Sequence, residues 1–196
     1  IPEKFLEERP HGDRDIFTVG CLTRWTFDKG IDILLRTWSQ FLAGGRSGRL
    51  LLAGPGIDGD NDELVAMVAA HGVSDSVELL GPFREPRDFH RSLDVYVSPS
   101  RTEGFPNVVA EAMATGLAVV ATDVGGTSEV MGSTGILVDN EDADAIAQAL
   151  GELADDRQRR HQLGVDARAR CATEFTIAST EAAVRRAYVD AGATGV

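Results

Sequence analysis

Short apolar runs recur along the chain, separated by stretches whose apolar positions fall at helical spacing. The runs lie at residues 16–19, 50–53, 77–80, 95–97, 118–122 and, more weakly, 135–138. Helix-like stretches alternate with them at 30–42, 62–71, 85–92, 107–114, 128–131 and 143–154. The runs are apolar on both faces and do not alternate with polar residues. Strands of a parallel sheet covered by helices read this way. Regular β–α alternation predicts an α/β fold, a Rossmann-like doubly wound parallel sheet of about six strands. Beyond residue 140 the pattern is mostly helical. Residues 157–171 and 179–191 predict two C-terminal helices, split near 173–176. Residues 1–14 read as a charged linker or frayed arm, which leaves 15–196 as the domain proper.

A length of 196 residues suffices for a full core. No apolar run approaches the roughly 18 residues needed to cross a bilayer. Glu3, Glu7 and Glu8 interrupt any signal-peptide layout at the start. Cys21 and Cys171 form no metal-spacing or disulfide-framework pattern, which fits packing residues in a reducing cytoplasm. The net charge of −12 argues against nucleic acid as a partner. It also means that an anion site has to be built locally, from a few cations and helix N-termini. The four histidines show no paired spacing, so no metal site is read from them.

The most informative residues are two glutamates, Glu103 and Glu111, between the runs at 95–97 and 118–122. In one continuous helix they would stand about 80 degrees apart. Gly104 and Pro106 instead favour a loop up to about residue 106, with Pro106 at the first helical position. Glu103 then lies in the loop at a strand's C-terminal end, and Glu111 in the first turns of the following helix. Backbone N–H groups at that helix start face the crevice where open α/β sheets bind ligands. Two acceptors for hydroxyl groups beside donors for an anion suit a ligand with polyol and phosphate parts, such as a nucleotide-sugar.

The segment Glu103–Gly104–Phe105 through Glu111–Ala112–Met113–Ala114 resembles the E-x7-E signature of retaining family-4 glycosyltransferases, which have the two-domain GT-B fold. The likeness also covers Val19–Gly20 with Lys29–Gly30, the stretch at 51–56, Val77 to Gly81, Gly125 to Glu129 and Gly135 to Val138. All of these belong to the C-terminal, donor-binding half. The resemblance implies that Glu103 contacts hydroxyls of the donor sugar and Glu111 holds the ribose hydroxyls. It assigns Lys29 to the donor diphosphate, and Arg24, five residues earlier on the same loop, is a candidate for a further cation. Backbone groups of Gly104, Phe105, Pro106 and Asn107 complete the anion cradle. Phe83 and Arg84 line the base pocket, although core packing is an equal reading of Phe83. No metal or other cofactor is implied, because cations and a helix start do that work. Retention is described in this family as same-face attack aided by the leaving phosphate. The expected ligand is a UDP-, GDP- or ADP-linked sugar. The chain is too short for both halves, so the acceptor-binding N-terminal half and any peripheral membrane contact through it lie outside it, and the isolated half is expected to transfer little sugar.

One departure from the family stands in the first βα connection, Gly20 to Gly30. An arginine usually follows the glycine, and this chain has Cys21 there. That substitution is the best support for a rival reading, a nucleotide-sugar-binding module that has lost its chemistry. A GT-B sugar-nucleotide epimerase or hydrolase would bind a similar donor but does not call for this pair of glutamates.

Two other motifs fail on chemical grounds. Gly54–Pro55–Gly56–Ile57–Asp58–Gly59 has the spacing of a dinucleotide fingerprint. Pro55 stiffens its turn, and Asp58, Asp60, Asp62 and Glu63 would set negative charge against a pyrophosphate. The same acidic run begins like an EF-hand loop, but Glu63 stands where glycine is needed and Ala69 where the closing carboxylate belongs. A solvated loop with an aspartate capping the next helix is expected there. In Gly125–Gly126–Thr127–Ser128–Glu129, a tight turn with Thr127 or Ser128 as helix cap is expected rather than a ligand contact.

Overall fold

The computed structural model describes residues 1–6, 16–179 and 181. Six parallel strands form one sheet: β1 (Thr18–Leu22), β2 (Arg49–Ala53), β3 (Val77–Leu79), β4 (Val95–Ser98), β5 (Ala118–Thr122) and β6 (Ile136–Val138). Their order is β3-β2-β1-β4-β5-β6. The chain builds outward from β1 to one edge, returns to the centre, and builds outward to the other edge. The order therefore reverses between β1 and β4. The loops after these two strands leave in opposite directions and open a crevice at their C-terminal ends.

Two apolar layers cover the sheet. On one face, α1 (Ile31–Ala43), α2 (Asp62–Ala70) and α6 (Ala143–Asp155) bury Leu34, Trp38, Phe41, Leu64, Ile146 and Leu150 against Val19, Leu50 and Val120. On the other, α3 (Pro86–Arg91), α4 (Asn107–Ala114), α5 (Thr127–Met131) and α7 (Arg157–Glu174) bury Phe89, Val109, Met113 and Ala167 against Leu51, Tyr96 and Val119. β4 and β5 are buried at every position, as expected of central parallel strands.

Several local expectations need correction. The apolar run at 16–19 predicts the first strand there, but the strand runs from Thr18 to Leu22. Its pairing with β2 continues through Cys21↔Leu52 and Leu22↔Ala53, and Ile16 is left exposed. Gly20 is therefore a strand residue. Leu93 presses on it so closely that a Cβ would collide. The helix after the acidic loop is capped by Asn61, which accepts from the Leu64 N–H, and not by an aspartate. Thr127 does not cap α5. It is buried, and its hydroxyl donates to the Val124 carbonyl. Residues 1–6 are docked, with Phe5 buried against His90. Helix α7 extends to Glu174, and most of the helix expected at 179–191 lies outside the described residues.

His90 is an acid-sensitive element in this core. Its ring is buried among Phe5, Phe89 and Tyr96, and among the described residues neither ring nitrogen has a hydrogen-bond partner. Burial pushes its pKa down from 6.5 to about 3. The unfolded chain takes up a proton as pH falls through about 6.5, while the folded chain does not until far lower pH. Stability is therefore lost on acidification and regained as pH rises. His90→Leu is expected to remove this dependence. Between pH 7 and pH 5 the wild type should lose about 2 kcal/mol more than the variant in chemical denaturation. Parallel losses in the two proteins would refute it.

Candidate functional site

The crevice at the strand reversal is built from two loops. After β1, residues 23–26 lead into a short 3-10 turn, Phe27–Lys29, and then Gly30 enters α1. After β4, residues 99–106 lead into α4. Gly30 has φ 66, and a Cβ there would strike the carbonyl oxygen of Pro99. Only glycine lets the two loops approach this closely.

Across this approach Lys29 and Glu103 meet. The Lys29 ammonium lies 2.8 Å from Glu103 Oε1 and 3.7 Å from Asp28 Oδ2. Their side chains are only 14% and 12% exposed. The Ser100 hydroxyl donates to the same Glu103 oxygen at 2.7 Å. Ser100 is held in turn by Thr122 at the end of β5, whose hydroxyl donates to the Ser100 carbonyl at 2.5 Å. From the other side, the Gly126 N–H donates to the Gly104 carbonyl at 3.1 Å. Gly125, at φ 55, abuts the Glu103 carbonyl so closely that a Cβ would overlap it. The glycine-rich turn is thus a backbone rest for Glu103.

Glu111 stands on α4, half-buried, and burial raises its carboxyl pKa while Lys4 of the N-terminal turn opposes the rise. Helix α4 differs from the others. Among the described α-helices it alone has neither an acidic residue in its first turn nor a side-chain cap. The expected cradle needs one revision. Pro106 has no N–H, and the Asn107 N–H donates to the Phe105 carbonyl at 2.9 Å. Among the described residues no acceptor takes the N–H of Gly104 and Phe105 in the loop, or of Val108 and Val109 at the open helix end. Ala110 is the first N–H to close a helical bond, onto Pro106.

The remaining predicted residues sit around this centre. Arg24 is exposed on the loop after β1. The Asp28 carboxyl nearby is held below its ordinary pKa chiefly by the Thr26 hydroxyl, with Lys29 and Arg24 adding attraction. Cys21 is not in that loop. It lies inside β1, buried in the α1-side core, and burial pushes its thiol up to about 12. Phe83 and Arg84 follow β3 and are exposed, with Phe83 packed edge-on against Phe89 at 5.5 Å. Phe105 is exposed beside Phe175. Nothing in the local pattern points to Arg101. Its partners are 40 to 74 residues away, so no local spacing announces it.

Comparison with known proteins places this geometry among relatives. The family described as "Glycosyl transferases group 1" matches residues 13–156. The lipopolysaccharide core biosynthesis mannosyltransferase LpsB of Rhizobium meliloti (strain 1021) is 33% identical over 184 residues, covering 87% of this chain and 50% of its own length. The structure of sucrose-phosphate synthase from Thermosynechococcus elongatus superposes with a TM-score of 0.81 at 27% identity, over 92% of this chain and 47% of that one. HepE of Anabaena, solved with UDP and glucose, shares the fold with a TM-score of 0.80 at 24% identity, over 90% and 49% of the two chains. The chain thus spans about half the length of the curated relatives it matches.

Gly125→Ala tests the backbone rest. A left-handed residue with a Cβ, forced into the Glu103 carbonyl, should cost about 2 kcal/mol or more. Urea denaturation should show this loss, and amide resonances of residues 100–106 should shift. Wild-type stability in the variant would mean that the two loops do not brace each other.

Proposed function

The chain belongs to the group 1 glycosyltransferases, with a Rossmann-like half of the GT-B type, and from this we propose that it is the donor-binding half of a retaining enzyme. It would take a nucleotide-linked sugar and pass the sugar to an acceptor held by a second, N-terminal half. The observation that carries the reading is the Lys29–Glu103 pair at the strand reversal, beside the uncapped start of α4. In this reading the crevice joins the Lys29 ammonium, four backbone donors and the carboxylates of Glu103 and Glu111. The cation and the donors match a diphosphate, and the carboxylates match sugar and ribose hydroxyls.

The arrangement of the sheet supports the order of parts. Neighbouring strands lie about 4.8 Å apart, so the loop after β3 is about 10 Å from the end of β1. Phe83 and Arg84 are in that loop, and Phe83 packs on Phe89 of α3, on the sheet face covered also by α4, the helix that carries Glu111. A nucleoside on that face would bring its diphosphate to Lys29 and the α4 start, and its sugar to Glu103. Lys29 and the helix end would then neutralise charge developing on the leaving diphosphate. Glu103 would strengthen its hold as the sugar gains positive character, which lowers the barrier and not only the binding energy. Among the described residues no helix is long and apolar enough to cross a membrane. A cytoplasmic enzyme, touching the membrane surface through its other half, fits the proposal.

Calorimetric titration of this chain with UDP, GDP and ADP, with and without EDTA, tests the reading. One of the three should bind, and EDTA should not matter. No binding by any would refute the donor-site reading, and binding abolished by EDTA would refute the metal-free cradle. Glu111→Ala should cost the bound nucleotide about 1.5–3 kcal/mol, because ribose hydroxyls lose a charged acceptor. An unchanged affinity would remove Glu111 from the ribose role.

Glu103→Gln should behave differently. Without ligand, Lys29 is shared between Glu103 and Asp28. An incoming phosphate has to draw the ammonium from both. Neutralising Glu103 removes one competitor, so nucleotide affinity should hold or rise by about fivefold, roughly 1 kcal/mol. Sugar transfer by the full-length enzyme should nonetheless collapse. A loss of nucleotide affinity, or normal turnover with only a lowered melting temperature, would exclude the sugar-contact role.

A further inference from the structure

Arg101 stands two residues before Glu103 and is 13% exposed. Four of its five N–H groups are bonded to protein. The Nε donates to Glu141 Oε1 at 2.6 Å. One terminal nitrogen donates to the Phe27 carbonyl and to Asp32 Oδ1, both at 2.8 Å. The other donates to Asp32 Oδ2 at 2.7 Å. The Phe27 ring covers one face of the guanidinium, 4.0 Å from ring centroid to Cζ. Its backbone joins in, because the Arg101 N–H donates to the Asp28 carbonyl at 2.7 Å.

These bonds converge on the turn that carries Lys29. Arg101 grips the carbonyls of Phe27 and Asp28, the two residues before Lys29, and Asp32, three residues after it. It also holds Glu141 of the connection between β6 and α6. Glu141 is a non-glycine residue at φ 62, a backbone conformation that costs energy and persists where surrounding contacts hold it. The ring of Phe27, otherwise an unexplained exposed aromatic at 78%, is the cover of this cation. A planar guanidinium with a bidentate carboxylate has little freedom to turn. Its donors are spent on protein, so it has little left for a ligand.

We propose that Arg101 is a positioning residue for the donor site, which fixes Lys29 against Glu103 by locking the turn before Lys29 to the loop before Glu103. The proposal rests on the donor-site reading for its purpose but not for its test. Lys4 and Lys29 are the only lysines in the chain. Reductive methylation with 13C-formaldehyde therefore gives two lysine NMR signals, and loss of one in Lys29→Met assigns Lys29. In the wild type the Lys29 signal should stand apart from that of exposed Lys4. In Arg101→Gln it should move toward the Lys4 signal, with no ligand present. An unmoved Lys29 signal would overturn the proposal, whatever happens to the melting temperature.

Nucleotide titration supplies the second arm, with the nucleoside diphosphate that the wild type binds. Arg101→Gln should weaken binding by about tenfold, and Arg101→Lys should not restore it because an ammonium cannot fork. In a Lys29→Met background Arg101→Gln should cost nothing further. Additive losses would overturn the proposal, since they would mean that Arg101 acts independently of Lys29. If Arg101→Gln does not fold, Asp32→Asn keeps the arginine and loosens its grip. The same movement of the Lys29 signal is then expected, and its absence would be decisive against. A wild type that binds none of UDP, GDP and ADP sinks the donor-site reading alone, because the methyl-lysine signals still report on Arg101.

Discussion

The ion pair between Lys29 and Glu103 depends on a single topological event, the reversal of strand order between β1 and β4. Seventy-four residues separate the two in sequence. Adjacent parallel strands bring their C-terminal ends side by side, and the following loops diverge around a crevice. A lysine after the first strand and a glutamate after the fourth then face each other across it. Both are largely out of water, so each charge is costly alone and is balanced by the other. In a chain of net charge −12 a free lysine would meet many competing carboxylates. Pairing it at short range with one carboxylate keeps it poised at the crevice.

Much of the surrounding structure serves to hold that pair in register. Thr122 fixes Ser100, Ser100 fixes the Glu103 carboxylate, and the Gly125–Gly126 turn supports the backbone below it. Gly30 permits the contact of the two loops at Pro99, and Arg101 ties the Lys29 turn to the same loop. The supports come from the ends of three strands, β1, β4 and β5. The site is therefore stiff even though its residues lie in loops, because every loop is bonded to a neighbour and not only to its own strand.

Other features carry a stability cost. The Glu111 carboxyl is half-buried with its pKa raised, so its charged form is disfavoured where it stands. Helix α4 begins without a cap or a first-turn acid. A stability-optimised helix would have both. Such departures gather at sites whose geometry is set by a ligand rather than by the fold alone. Cys21 reads differently once the strand is placed. It is a buried core residue of β1, and burial pushes its thiol up to about 12, so it brings no charge to the crevice, while Arg24 is exposed on the loop that follows.

The alternation of short apolar runs with helical stretches was enough to determine the α/β class and nearly every element, because burial on both faces leaves a direct mark on composition. The positions of Glu103, Glu111 and Lys29 were legible for a similar reason: each lies next to a strand end or helix start that local pattern reveals. The end of β1 was not legible. Gly20 looks like the start of a turn, and only pairing with β2 and the press of Leu93 show that the strand continues through Cys21 and Leu22. The capping residues were misassigned by one or two positions, because Asn61 and Gly126 are chosen by backbone angles that composition does not specify. Arg101 was invisible altogether. Its carboxylate partners, Asp32 in the first turn of α1 and Glu141 between β6 and α6, are distant in sequence, and a salt-bridge network of that reach exists only once the sheet has set its strands in order. The sequence by itself determined the succession of elements and which residues stand at their ends; tertiary structure decided which of those residues meet and what holds them there, since strand order, unlike periodicity, is a property of pairings between distant parts of the chain.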